Sequence, residues 1–479
     1  MRHIAKALTL TAALCAMGCG SDDNNFSYGP FPNPTTTPIN PPTAVADSFT
    51  TLGNSVLTGS VTANDTLNGA TVTAFQNPSN SGGSVAITAG GQLTYTPPLN
   101  SANVNDTFTY TLTNSAGSST ATVTVQIGAR GFFVKNDVTT TGTGTQSNPF
   151  KTLAEAVTAA GVNPAEIVVF QGDGTSTGLN TAVALATSQV LRAFDGNAPT
   201  LTGPVTMANN TTLSGVKING SGNVQATGSP RNFTVQNCTI SNTTSDGLAF
   251  TNVVGNVSLR NNALTNNGGR GLAVRNNAGL SNFTIANQTV NNSTTDGVLV
   301  NITNTANVTW SETNTTINRA GNGVAFAGNS WSVNTTQTSA FNATLTGCLS
   351  DSPSLFGLLV DSFNSSNVTL VFDQGIVRNG QFQGFLLEAL DSSTFKARIS
   401  NTQTNQNGAG FGFEADNGDF ALMCLRLVNV TSDVYRLGNN NPSAPYNIEN
   451  FAGFAAENTG SITQLGTINS VPIGSCGIP

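Results

Sequence analysis

A glycine followed by apolar, variable and apolar residues recurs in register through the second half of the chain. The copies are Gly247-Leu-Ala-Phe250, Gly271-Leu-Ala-Val274, Gly297-Val-Leu-Val300, Gly323-Val-Ala-Phe326, Gly357-Leu-Leu-Val360, Gly384-Phe-Leu-Leu387 and Gly410-Phe-Gly-Phe413. Polar–apolar starts accompany them at Asn232-Phe233, Asn256-Val257, Asn282-Phe283, Asn307-Val308, Asn342-Ala343, Asn367-Val368, Thr394-Phe395 and Asp419-Phe420, spaced 24 to 27 residues apart with one interval of 35. A unit of about 25 residues with two or three short strands cannot bury its apolar face alone; stacked on its neighbours it can. Leucine-rich repeats would need Leu and Asn at set steps, and a propeller blade about 40 residues, so the pattern predicts a parallel solenoid. Coils about 4.8 Å apart make the roughly ten coils expected from residue 165 onward a rod on the order of 50 Å long.

Several residues take their meaning from this register. Asn237, Asn261 and Asn287 fall at one position and predict an amide ladder. The long interval predicts a loop projecting around Asn329 to Ala340. Cys238 and Cys348 lie too many coils apart to bridge. Cys424 and Cys476 are the pair that can form a disulfide and pin the C-terminal tail, since export permits it.

Composition narrows the chemistry. Charged residues make up 9% of the chain, net charge is −7 and Asn, Thr, Ser and Gly carry the polarity. Such a chain is a poor partner for nucleic acid, where phosphate neutralisation dominates affinity. The single histidine is His3, inside the N-terminal export signal. Ser-His-Asp and Cys-His nucleophiles and most zinc sites are thereby excluded, leaving carboxylates, Arg, Lys, Tyr or a hard cation.

Arg2, His3 and Lys6 precede an apolar run from Ala7 to Met17, too short to span a bilayer. Ala16-Met17-Gly18-Cys19 then resembles a bacterial lipobox, which implies residues 1–19 as a lipoprotein signal peptide with Cys19 as the lipidated residue. Gly20, where an Asp would favour the inner membrane, points to a lipid-anchored protein of the outer membrane or cell surface. Residues 20–44 hold six prolines between Pro30 and Pro42 and read as a semi-rigid stalk.

Residues 45–128 alternate with period two in short runs such as Thr107-Phe-Thr-Tyr-Thr-Leu-Thr113, separated by turns such as Gly82-Gly83, which predicts a small β-sandwich. Ala63-Asn-Asp-Thr66, Leu93-Thr-Tyr-Thr-Pro97, Asp106-Thr-Phe-Thr-Tyr110 and Ala121-Thr-Val-Thr-Val125 resemble the cadherin-like immunoglobulin repeats of bacterial surface proteins. Tandem members bind calcium through paired acids; here only Asp47 and Asp65 stand at such places, so the domain is expected to be a spacer. In residues 129–164, Gly144-Thr-Gln-Ser-Asn-Pro-Phe-Lys-Thr-Leu-Ala-Glu-Ala-Val157 is similar to the entry segment of pectate-lyase-like β-helix proteins. It implies a helix capping a right-handed parallel β-helix, with Asn148 expected as its N-cap, Pro149 at its first position, Gly161 as its end and an apolar face of Phe150, Leu153, Ala154 and Val157.

Applying the glycine register places Asp361, Glu388 and Glu414 at one position in three successive coils, where earlier coils carry Thr251, Arg275, Asn301 and Ala327. Like charges at this spacing need compensation by a cation, a raised pKa or a basic neighbour, unless they splay into solvent. Asp361, Glu388, Asp391, Glu414 and Asp416 are therefore candidate calcium ligands, and Asp361, Glu388 and Glu414 candidate acid–base residues for glycoside chemistry. Asp246, Arg270 and Asp296 form a second ladder of alternating charge. Phe385, Phe411 and Phe413 are assigned to the core. The leading expectation is a monomeric surface module binding a polysaccharide or other cell-surface polymer. The rivals are a polysaccharide lyase or hydrolase and a purely structural envelope protein.

Overall fold

The computed structural model describes residues 38–170, 179–194, 196, 198–321, 328–405, 407–408 and 411–479. The signal segment with Cys19, most of the proline-rich stretch and the Gly323-Val-Ala-Phe326 copy lie outside the described residues. The described chain is all-β apart from two short α-helices and a 3-10 turn.

The first domain is a sandwich of mostly antiparallel strands, its first strand, Asp47–Gly53, pairing parallel with the last, over a core that includes Tyr95, Phe108, Tyr110, Leu112 and Val123. Asp47 and Asp65 are closer than single spacer acids would be. The Tyr110 hydroxyl lies 2.8 Å from Asp65 Oδ2, and burial together with the Asp65 charge pushes Asp47 up to about 6. The last strand, Gly117–Val134, does not stop at the expected boundary at residue 128 but runs on into the first coil of the solenoid, pairing there with Ala165–Val169. Asn54 Nδ2 donates to the Gly131 carbonyl at 3.0 Å, and Ser55 Oγ and the Val56 amide donate to Gln146 Oε1 at 2.9 and 2.8 Å. A shared strand and these bonds fix the sandwich to the solenoid.

The second domain is a parallel β-helix. One of its sheets is an unbroken ladder through Val183, Val205, Val224, Leu248, Leu272, Val298, Trp331, Leu358, Phe385, Phe413, Tyr435 and Ile462. Side chains alternate in and out along each strand, so the inward set forms one continuous core. Its large members touch from coil to coil, Phe372 meeting Phe385 edge-on (5.1 Å between centroids), and Phe385 with Phe413 (5.7 Å) and Phe413 with Tyr435 (5.9 Å) in tilted contacts. The cap helix, Leu153–Ala160, buries Leu153, Ala156 and Ala160 against the first coil. It starts later than the Asn-Pro signal suggests: Thr152 is the N-cap, in a reciprocal capping box with Glu155, while Gly161 ends the helix as expected. The Asn148-Pro149 turn instead returns Phe150 to bridge Val134.

The long interval does not form its loop at Asn329 to Ala340. Trp331–Thr335 is a strand in register with Val298–Ile302, and Trp331 is buried. The extra residues of this coil therefore precede it, and Asn334 rather than Ala327 occupies the ladder. The starts also slip: Val308 pairs with Phe341 rather than Ala343, and Phe395 with Met423, leaving Phe420 exposed.

The amide ladder is present and longer than three rungs. Nδ2 of each Asn donates to Oδ1 of the one before it, Asn261 to Asn237 and Asn287 to Asn261 at 3.0 Å, then Asn314 to Asn287 at 3.3 Å. All four residues have φ near +53°, the left-handed turn that Asn tolerates best among residues with side chains. Asn261→Ala should cost about 1–2 kcal/mol through this strain and the lost bonds, and Asn261→Gly less. Thermal denaturation of the two variants checks the order.

Cys424 and Cys476 form a disulfide across a separation of 52 residues, with Cα atoms 5.6 Å apart. It ties the tail over the last coils, where the Cys476 amide donates to Glu449 Oε1 at 2.6 Å. Closing a loop of that length stabilises by about 4 kcal/mol in the chain-entropy account. Cys424→Ser with Cys476→Ser should therefore lower the unfolding midpoint and open the tail to protease, read by limited digestion before and after reduction. Cys238 and Cys348 are buried free thiols.

Candidate functional site

The site is built on three neighbouring rungs, Leu358–Ser362, Phe385–Ala389 and Phe413–Asn417. Inward positions hold Leu358 and Val360, Phe385 and Leu387, Phe413 and Ala415; outward positions hold Leu359 and Asp361, Leu386 and Glu388, Glu414 and Asp416. The pairing is Asp361 with Glu388 and Glu388 with Asp416, so the third acid of the ladder is Asp416 and not Glu414. Glu414 pairs with Leu386, two positions earlier along the strand. Gly412 heads this coil, the Phe385 amide donating to its carbonyl at 3.0 Å, whereas Gly410 lies outside the described residues. Gly412-Phe-Glu-Ala415 carries the same glycine–apolar–variable–apolar signal, and choosing it would have found Asp416. Phe411 then falls outside the strand and is only half-buried, whereas Phe385 and Phe413 are in the core.

The carboxyls do not splay into solvent. Burial first, and then the hydrogen bond and negative charge of Glu388, push Asp361 up to about 8. Burial and the Glu388 charge push Asp416 up to about 6. Asp361 Oδ1 and Asp416 Oδ1 are buried without hydrogen-bond partners. Carboxyls on adjacent rungs repel one another when both are ionised, and this favours a proton on Asp361. A side chain on the next rung would disturb this arrangement. Gly438 stands there, and a Cβ on it would collide with Asp416 Oδ1.

Arg436, which the sequence did not single out, closes the end of the ladder. It forms ion pairs with Glu414 and with Asp416 Oδ2, the latter at 3.0 Å. Glu414 also accepts from Gln383 Nε2 and is 4% exposed, so it anchors the arginine rather than facing solvent. Half-buried Leu359, Leu386 and Phe356 share the outward registers, and the Phe356 ring meets Phe382 edge-on at 6.1 Å. Upstream the ladder continues through Asn334, Asn301, Arg275 and Thr251.

Asp391 has a different task. It sits in a left-handed turn (φ 57°) and its Oδ2 accepts the Asn364 amide of the preceding coil at 2.9 Å. Among the described residues no group of three or more His, Cys, Asp or Glu side chains is arranged to hold a metal ion. The alternating ladder is an ion-pair chain: Arg270 lies 3.6 Å from Asp246 and 3.3 Å from Asp296, and Arg275 lies 3.0 Å from Asp246.

Residues 39–126 match the bacterial Ig domain family. Three solved structures match over most of the chain. A pectate lyase is 12% identical, covering 72% of this chain and 78% of its own, with a TM-score of 0.34. The A-module of a mannuronan C-5 epimerase from Azotobacter vinelandii is 13% identical, covering 71% and 96%, with a TM-score of 0.35. The catalytic unit of an alpha-1,3-glucanase from Streptomyces thermodiastaticus is 14% identical, covering 82% and 77%, with a TM-score of 0.36. No curated protein matches the chain. No helix among the described residues is long and apolar enough to cross a membrane.

Proposed function

We propose that this is a surface-displayed, lipid-anchored protein that hydrolyses a polysaccharide by acid–base chemistry at Asp361, Glu388 and Asp416. The observation that carries this reading is the ladder of carboxyls on adjacent rungs, Asp361 beside Glu388 and Glu388 beside Asp416, in which burial and the Glu388 charge raise Asp361 above the usual carboxylate range. A glycosidic oxygen needs a proton as its bond breaks, and a carboxylic acid that remains neutral at pH 7 can donate it. Asp416, two rungs away and about 10 Å along the rod, is ordered by Arg436 and is the carboxylate on which a water can be activated. Glu388, between them, stabilises positive charge developing on the sugar. The stalk and the rigidly attached sandwich hold this face away from the membrane.

A second reading, glycan binding without cleavage, draws on the flat Asn ladders, whose rows of amides offer matched donors and acceptors to sugar hydroxyls. Incubating the chain with a panel of neutral and acidic polysaccharides, with and without calcium, separates the two. The hydrolytic reading expects new reducing ends that disappear in Asp361→Asn, Glu388→Gln and Asp416→Asn and persist in Asp391→Asn. Retention with no cleavage on any polymer would reject hydrolysis in favour of binding. Cleavage that requires calcium and survives Asp361→Asn would reject the assignment of the acid.

A further inference from the structure

We infer that the junction between the sandwich and the solenoid is a second saccharide-binding site, independent of the carboxyl ladder. A cleft of about 410 Å³ lies there, lined by Thr51, Ser55 and Thr58 of the first domain and by Gln146, Arg192 and Phe194 of the second. That volume is within the usual range for a small-molecule site. The cleft is preformed, because the Gly117–Val134 strand belongs to both domains and Gln146 Oε1 is held by Ser55 and Val56 across the junction.

The chemistry of the lining suits a sugar. Phe194 offers a half-buried ring held by neighbours on adjacent coils, 4.2 Å from Phe170 and 6.4 Å from Phe133 between centroids. A ring braced in this way can take the C–H face of a pyranose, which is apolar, while hydroxyls at its edge meet polar groups. Those groups are at hand. Thr58 is exposed, and Gln146 keeps its amide nitrogen for a ligand once Oε1 is engaged. Arg192 donates through Nε to Glu166 and through Nη1 to the Ala193 carbonyl, which leaves Nη2 as a further donor. Because Glu166 neutralises that guanidinium, at 2.8 Å, the cleft carries no net charge and selects a neutral glycan over a uronate polymer. The sandwich is then part of a binding site as well as a spacer.

The test is native affinity electrophoresis of the full chain through gels cast with a soluble α-glucan, β-glucan, mannan or polygalacturonate. Two variants probe the cleft. Phe194→Leu removes the ring while keeping apolar volume, and Thr58→Trp fills the cleft from an exposed position. Retardation by at least one neutral polymer is expected, with affinity reduced tenfold or more in both variants and unchanged in the Asp361→Asn, Glu388→Gln, Asp416→Asn triple variant. Wild-type retardation in Phe194→Leu and Thr58→Trp would overturn the inference, as would retardation by polygalacturonate alone, retardation lost only in the triple variant, or none with any polymer. Cleavage is read separately, so loss of hydrolysis and loss of this site are distinguishable.

Discussion

Asp361→Asn is expected to make the protein more stable at pH 8 while abolishing the proposed hydrolysis. In the folded state this carboxyl titrates at about 8, against 3.8 for an ordinary aspartate, so between those limits the native protein holds one more proton than the unfolded chain. Stability therefore falls as pH rises through that window, by up to about 1.4 kcal/mol per unit, and levels off above it. Asp416, raised to about 6, adds to the slope in the lower half of the window. An amide at position 361 can still donate to Glu388 and has no proton to lose. The variant should match the wild type near pH 4 and exceed it by up to about 5 kcal/mol at pH 8, where an unfavourable buried charge has been removed. Urea denaturation at a series of pH values checks this. A wild type that gains stability from pH 4 to 8 would contradict it.

Glu312 gives the opposite result, because there the carboxyl is part of the core. It points inward among apolar residues at 1% exposure and accepts the indole N–H groups of Trp310 and Trp331 at 2.8 and 3.2 Å on one oxygen. Its other oxygen is buried beside the Thr315 hydroxyl. Burial holds its pKa above the usual range against the pull of these hydrogen bonds. Glu312→Ala should destabilise by about 3–5 kcal/mol, since it opens a cavity and strands two indole donors. Glu312→Gln should stay within about 1 kcal/mol, as its amide supplies the same acceptor and a donor. The sign of the pH effect follows: a raised carboxyl pKa contributes stability at low pH that is lost as pH rises through the folded value. Tryptophan emission during denaturation reports on this cluster directly.

Much of the fold was legible because a stacked architecture writes itself as a period. Gly-apolar-variable-apolar copies with Asn at fixed offsets have one economical solution, and the amide ladder lies where that solution puts it. Legibility ended where coil length changed. Coils of different length are padded in their turns, and a turn can absorb residues before or after a glycine without changing the apolar pattern nearby. That is why the extra residues near 330 were assigned to the wrong side of Trp331, and why Gly410 was chosen over Gly412. Because side chains alternate faces, a shift of two residues preserves the in–out pattern but moves each residue to a different ladder. Glu414 thereby took the place of Asp416. Arg436 was missed for a related reason: it lies in an 18-residue strand, Leu422–Asn439, whose Tyr435-Arg-Leu437 rung has no glycine to mark it.

The most direct test of the carboxyl ladder is a carboxyl carbon NMR titration of protein labelled at aspartate Cγ, with Asp361→Asn identifying the resonance. The account predicts a signal titrating near pH 8 that is absent from the variant, and a second, from Asp416, titrating near 6. If Asp361 instead titrates below about pH 5, as an ordinary aspartate does, it is ionised at neutral pH and the acid–base site does not exist.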